Sequence, residues 1–224
     1  MSMRRTPIPN EDIDMIRRLH ALALAALLAV PMAAAGCGRV PSPSPSAQGT
    51  TTVIVVRHAE KVTTDPRDPN PALSPQGQQR ARDLAELLRT RHVAGVIATQ
   101  FARTQLTAQP TAEGAHVVVD TIPATRDVAA HAAAIAERIR TRYAGKTVLV
   151  VGHSNTVSKI IAALGGPALA DLCDSAYGNL FTLVIPASGA PRFTQGHFGA
   201  TDPPGGPGCA NGLVVPRPAP AGAR

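Results

Sequence analysis

Four short stretches hold the side chains that could act together on a substrate: VVRHAEK (55–61), LSPQGQQRA (73–81), ATQFARTQLTA (98–108) and VVGHSNT (150–156). Two of them set a histidine, His58 or His153, behind an apolar run, and the first and third supply Arg57 and Arg103. That combination has a definite chemical use. A neutral imidazole can attack phosphorus in line and hold the phosphoryl group until water removes it. Guanidinium forks suit phosphate oxygens in a way that the point charge of lysine does not. Taken singly the features are commonplace, since an Arg-His dipeptide arises by chance and a lone histidine is more often structural than catalytic. The residues of other chemistries are missing from the sequence: there is no HExxH, no CxxC and no P-loop, and the three cysteines lie far apart.

The elements that must position these groups follow from the hydrophobic pattern. VIVV (53–56) is a continuous apolar run, as a strand covered on both faces shows. After an Asp/Pro-rich loop, Leu73-Ser74-Pro75 predicts a helix start, with serine as N-cap and proline at the first helical position. Ala81, Leu84, Ala85 and Leu88 fall on its inner face, and Arg80, Arg82, Glu86 and Arg89 are expected outside. GVIAT (95–99) predicts a second strand, with a helix from about Arg103, and HVVVD (116–120) a third strand. Val128, Ala132, Ile135, Ala136 and Ile139 mark a long amphipathic helix. KTVLVVG (146–152) predicts a fourth buried strand that leads into a helix from Ser154, with Val157, Ile160, Ile161 and Leu164 inward. NLFTLVIP and PRFTQGHF predict a closing strand pair.

Strands alternating with helices imply an α/β fold, a three-layer α/β/α sandwich with a mostly parallel sheet. Ligands of such sheets bind outside the carboxyl ends of the strands. Arg57-His58 ends the first strand, Arg103 comes just after the second, and Gly152-His153 ends the fourth. Three polar groups are therefore expected to converge on one sheet edge.

In order, spacing and predicted context, the four stretches resemble the histidine phosphatase superfamily, the phosphoglycerate-mutase-like fold, from Val53 to about Pro186. The likeness is greatest to its short bacterial members with RHAEK and GHSNT motifs. The resemblance implies that His58 is the nucleophile, that Arg57 and Arg103 hold the phosphoryl group, and that His153 is the second histidine in contact with it. It implies a metal-independent phosphatase with no cofactor, acting on a small phosphorylated substrate or on phosphohistidine. The helix from Ser154 would add backbone N–H groups and a positive dipole end.

The sequence departs from the family in its acid. Many members place a glutamate after the third strand to protonate the leaving oxygen, and another branch places an aspartate directly after the second histidine, where this chain has Ser154. Asp120 and then Glu60 are the remaining candidate proton donors. Without an acid, good leaving groups such as phosphoramidates are favoured, as for the phosphohistidine phosphatases of the superfamily. The alternative reading is a catalytically silent phosphate- or phosphosugar-binding lipoprotein on the same fold, and a mutase fits less well. His20, His92, His116, His131 and His197 have no partner pattern and read as signal-peptide or surface residues, and Lys61 either extends the positive pocket or faces solvent.

The rest of the chain bounds where such a domain works. With 224 residues, 44% of them apolar, the chain can bury one ordinary core, built from Ala, Val and Leu because tryptophan is absent. The net charge of +7 is spread without a Lys/Arg run longer than two, and aromatics are scarce, so the charge gives no nucleic-acid footprint. Arg17-Arg18 precede the apolar stretch LHALALAALLAVPMAAAG, which is too short and alanine-rich for a membrane-spanning helix. Ala34-Ala35-Gly36-Cys37 resembles the lipobox of bacterial lipoproteins. That resemblance implies a signal peptide over 1–36, with Met15 opening it more cleanly than Met1, and a lipidated Cys37 that anchors an exported protein to a membrane. A Pro/Ser tether completes 37–50, the domain spans 51–200, and 201–224 is a Gly/Pro-rich tail. Cys173 and Cys209 form an even pair in an oxidising compartment and are expected to bridge.

Overall fold

The computed structural model describes residues 49–204. The elements alternate as the apolar pattern requires: β1 (Thr51–Arg57), α1 (Pro75–Leu88), β2 (Val93–Ala98), α2 (Ala102–Gly114), β3 (Val119–Thr121), α3 (Val128–Arg142), β4 (Thr147–Gly152), α4 (Val157–Ala163), β5 (Asn179–Ile185) and β6 (Arg192–His197). They build one sheet in the order β3-β2-β4-β1-β5-β6. The first four strands run parallel, β5 pairs antiparallel with β1, and β6 antiparallel with β5. This is the α/β sandwich that the sequence predicts.

The chain steps outward from β1 to β2 and β3, then turns back to insert β4 beside β1. Right-handed crossovers in opposite directions place their helices on opposite faces. Ile54 and Val56 accordingly pack with Leu84 and Leu88 of α1 and Ala108 and Ala112 of α2. Val53 and Val55 pack on the other face with Ile135 and Ile139 of α3 and Ile160 and Ile161 of α4. Both faces of VIVV are needed apolar, at about 1.5–3 kcal/mol per fully buried side chain.

Local chemistry sets the element ends. The Ser74 hydroxyl accepts from Gly77 N–H at 3.2 Å and Pro75 opens α1, as expected. β3 starts three residues later than the apolar run HVVVD suggests. His116, at φ 55°, takes the left-handed cap position of α2, and Val117 N–H turns back to the Ala112 carbonyl at 3.0 Å. That closed cap consumes the start of the run. α4 likewise begins at Val157 rather than Ser154.

Two expectations about burial are corrected. Arg80 does not lie outside α1 but is 1% exposed, wrapped by Glu60 and by the segment from Phe198 to Asp202. His131 is buried, and its Nδ1 lies 3.1 Å from the Pro123 carbonyl. Asp202 is tied into the domain, two residues past the expected boundary at 200. The expected signal peptide (1–36), His20, Cys37, the expected Pro/Ser tether to residue 48, Cys209 and the tail from 205 lie outside the described residues. Cys173 is disulfide-bonded.

α1 approaches the loop after β1 very closely. Ser74 N–H donates to the Glu60 carbonyl at 2.9 Å, and a Cβ on Gly77 would come within 2.1 Å of that same carbonyl oxygen. No methyl fits there without moving backbone. Gly77→Ala should therefore lower the unfolding free energy by about 1–3 kcal/mol, read from the urea midpoint. An unchanged midpoint would refute this contact.

Candidate active site

Strand register decides which side chains meet. Arg57 is opposite Gly152 in the β1–β4 ladder, and His58 N–H donates to the Gly152 carbonyl at 3.0 Å. The next residues along the two strands, His58 and His153, thus come edge to face with ring centroids 5.5 Å apart. On the far side of β4, Val151 is opposite Ala98, which brings the Thr99 hydroxyl to 3.0 Å from His153 Nε2. The turn after β4 is equally constrained. The Thr156 hydroxyl accepts from His153 N–H at 2.8 Å, and a Cβ at residue 152 would lie 2.7 Å from that hydroxyl oxygen, so glycine is required.

Arg57 is buried, and its Nη1 points at the carbonyls of Cys173, Asp174 and Ala176, at 2.8, 3.0 and 3.3 Å. The guanidinium lies 4.3 Å from the centre of the Tyr177 ring, with the Asp174 carboxylate 3.7 Å from Nη2. Its Nε is buried with no hydrogen-bond partner. Burial pulls the Arg57 pKa below its ordinary value, and the charges of Tyr177, Asp174, Asp202 and Glu60 oppose that pull. Arg103, in the first turn of α2, lies 4.4 Å from the centre of the Phe101 ring. Its pKa too is lowered, first by burial and then by the positive charge of Arg57. Arg103 forms no ion pair among the described residues. Two guanidinium groups held within each other's field repel, and an anion between them relieves that repulsion.

His58 Nδ1 lies 2.8 Å from the Ala59 carbonyl. A carbonyl only accepts, so the neutral ring carries its proton on Nδ1 and keeps the lone pair on Nε2. Burial first, then the charges of Arg57, His153 and Arg103, push the His58 pKa down to about 3 against the opposing Ala59 hydrogen bond. His153 is pushed down to about 4, by burial and then by Arg103, His131 and Arg57. Both imidazoles are neutral at pH 7. Arg57, His58, Arg103 and His153 open together onto a cleft of about 610 Å³.

The four groups that the sequence places at one sheet edge are thus brought together, and Lys61 lines the same cleft. The two candidate proton donors are not. Asp120 is held by Arg138, by Arg142 at 3.5 Å and by the Tyr143 hydroxyl at 3.1 Å. Glu60 is held by Arg80, with Nη2 at 2.7 Å. Neither lines the cleft, whose carboxylates are Asp68 and Asp174. Sequence reasoning missed Tyr177 beneath Arg57, Thr99 behind His153, and Thr107, whose hydroxyl accepts from Ala59 N–H at 2.9 Å. Only Thr107 carried a local signal, four residues after Arg103, where its hydroxyl reaches back to the Arg103 carbonyl at 2.7 Å.

The fold is shared with solved structures. Bacillus stearothermophilus YhfR superposes with a TM-score of 0.51 at 18% identity, over 68% of this chain and 96% of that one. The protein histidine phosphatase SixA, complexed with tungstate, superposes with a TM-score of 0.50 at 18% identity, over 65% of this chain and 96% of that one. At such identity the likeness establishes the fold. The sequence itself matches the family model of the histidine phosphatase superfamily (branch 1) over residues 53–129. No curated protein matches it significantly. The matched span holds Arg57, His58 and Arg103, whereas His153 lies beyond it and joins the site through the β1–β4 register.

The protonation of the paired imidazoles is measurable. His58 and His153 should show no midpoint near 6.5 when their ring protons are followed by NMR from pH 8 to 5, because their values lie near 3 and 4. Below about 6.5 the unfolded chain takes up protons that the folded site refuses, so the contribution of these residues to stability is complete above that pH and is lost as pH falls toward 3. A midpoint between 6 and 7 for either ring would refute the assignment.

Proposed function

We propose that the domain is a phosphatase that hydrolyses a phosphomonoester or phosphoramidate through a covalent phosphohistidine on His58, without a metal ion. One observation carries the reading: the neutral His58 ring, its proton committed to the Ala59 carbonyl, shares a cleft with two mutually repelling guanidinium groups. His58 Nε2 attacks phosphorus as the bond from phosphorus to the leaving oxygen or nitrogen breaks, and the leaving group takes that electron pair and a proton from solvent. Arg57, Arg103 and His153 stabilise the charge spread over the equatorial oxygens. Water then attacks the phosphohistidine, the phosphorus–nitrogen bond breaks back onto Nε2, and inorganic phosphate leaves. Because Asp120 and Glu60 are engaged away from the cleft, the preferred substrates carry leaving groups that need little protonation, a phosphoramidate or phosphohistidine before an alkyl ester.

His58→Ala should abolish turnover of an aryl phosphate and of phosphoramidate, and Arg57→Ala or Arg103→Ala should reduce it by about 10²-fold or more. Rapid quenching should trap an acid-labile, base-stable phosphoenzyme in the wild type. Near-normal activity of His58→Ala, or an acid-stable label, refutes the mechanism. A wild type that binds phosphate and turns over no substrate would make the domain a silent binder.

We further propose that the domain is exported and held at a membrane through acylated Cys37, on the strength of the Ala34-Ala35-Gly36-Cys37 sequence after a basic and apolar leader. The wild type should fractionate with membranes, and Cys37→Ser should release it or block its processing. Recovery of the wild type as a soluble, unlipidated protein would overturn the anchor.

A further inference from the structure

Arg80 and Asp202 are charged residues inside the domain that the proposed chemistry does not use. Arg80 Nε and Nη2 donate to the Glu60 carboxylate at 3.0 and 2.7 Å. Its Nη1 donates to the Phe198 and Ala200 carbonyls, both at 2.9 Å. Nη2 also lies 3.2 Å from Asp202. The Asp202 carboxylate in turn accepts from Gly178 N–H with both oxygens, at 3.0 and 2.9 Å, and has His197 Nε2 at 3.7 Å. Gly178 directly follows Ala176-Tyr177, whose carbonyl and ring grip the Arg57 guanidinium. Glu60, at the other end, is two residues from His58. The contacts form a closed circuit: Arg57, the 176–178 turn, Asp202, Arg80, Glu60 and back to the Arg57-His58 pair.

A buried arginine with all three nitrogens engaged by partners up to 120 residues away is more than helix N-terminal packing requires. The short turn 176–178 has few anchors of its own: Ala176 N–H bonds the Cys173 carbonyl, Phe198 N–H bonds the Gly178 carbonyl, and Asp202 takes the Gly178 N–H. Removing Asp202 frees that N–H and breaks the Arg80 ion pair together. The turn then loses its fixed distance from Arg57, and a misplacement of about 1 Å is worth about 10²-fold in a phosphoryl-transfer site.

We propose that Asp202, set by Arg80, is a positioning residue that acts on the phosphoryl group through Arg57, making the segment 198–202 a working part of the active site. The inference rests on the phosphatase reading of that site for its kinetic form, and on anion binding by Arg57 for its binding form. Asp202→Ala should lower kcat/KM for an aryl phosphate, and the affinity for inorganic phosphate, by about 10²-fold, while unfolding stays cooperative. Introduced into the Arg57→Ala chain, the same substitution should change either quantity less than about 2-fold, because the group it acts through is gone. Asp202→Asn keeps an acceptor for Gly178 N–H but loses the charge facing Arg80, and should recover about 10-fold of the loss. If Asp202→Ala does not fold, Asp202→Asn carries the cycle, with an expected loss of about 10-fold.

Losses that add in the double variant, or an Asp202→Ala protein that matches wild type, overturn the proposal and leave the phosphatase reading standing. A wild type that turns over nothing but whose phosphate affinity shows the same coupling overturns only the phosphatase reading. A wild type that neither binds phosphate nor turns over substrate overturns both.

Discussion

The structure is organised around the burial of one charge. Arg57 ends a strand that is apolar on both faces, and its guanidinium has almost no access to water. An isolated cation in that position is expensive to desolvate. Three carbonyls from residues 173–176 and the Tyr177 ring surround one side of it, and the carboxylates of Asp174, Asp202 and Glu60 oppose the fall in its pKa. These groups fix its position while neutralising it only in part. Arg103 stands in the same field without a carboxylate of its own. The site therefore holds positive potential that its carboxylates relieve only in part, and burial first, with that potential second, keeps both neighbouring imidazoles neutral. The proposed nucleophile and the proposed anion site arise from the same burial.

This constraint explains features distant from the cleft. The hairpin of β5 and β6 returns the chain so that 198–202 can close over Arg80. Gly77 lets α1 press against the Glu60 carbonyl, which carries Arg80 to the Glu60 carboxylate. The side chain of Asn70 accepts from Ala102 N–H at 2.8 Å, so the long loop after β1 also fixes the start of the helix that bears Arg103. Each charged group of the site is located by backbone that the core holds rigid, and by one or two polar contacts from remote sequence.

What was legible in the sequence was local or periodic. VIVV, Leu73-Ser74-Pro75 and the RHAEK and GHSNT stretches each announce their own structure, and parallel-sheet topology alone carries His58 and His153 to a common edge. What was not legible depends on pairings across the chain. Arg80 sits in a polar-looking helix position, and its burial is created by residues 118 and more places away, which no periodicity encodes. Tyr177 and Asp174 belong to a loop that has no motif until it folds against Arg57. Asp120 misled because a carboxylate on the third strand fits the family pattern. The competing signal was present: Arg138 and Arg142, four apart on one face of α3, are the partners that claim it.

That claim on Asp120 bears on the chemistry. With Glu60 committed to Arg80 as well, the carboxylates left at the cleft are Asp68 and Asp174, both exposed, and Asp174 lies beside Arg57. A carboxyl that donates a proton in a transition state is commonly a buried one, and these two lie open to solvent. The burial that keeps His58 neutral does not extend to these two carboxylates. A site built this way is suited to attack and charge stabilisation and lacks a buried acid for the leaving atom. Under the proposed phosphatase reading, the bond broken is one whose leaving group departs with little help, and a phosphorus–nitrogen bond, whose nitrogen takes its proton readily from water, fits that constraint better than an alkyl ester.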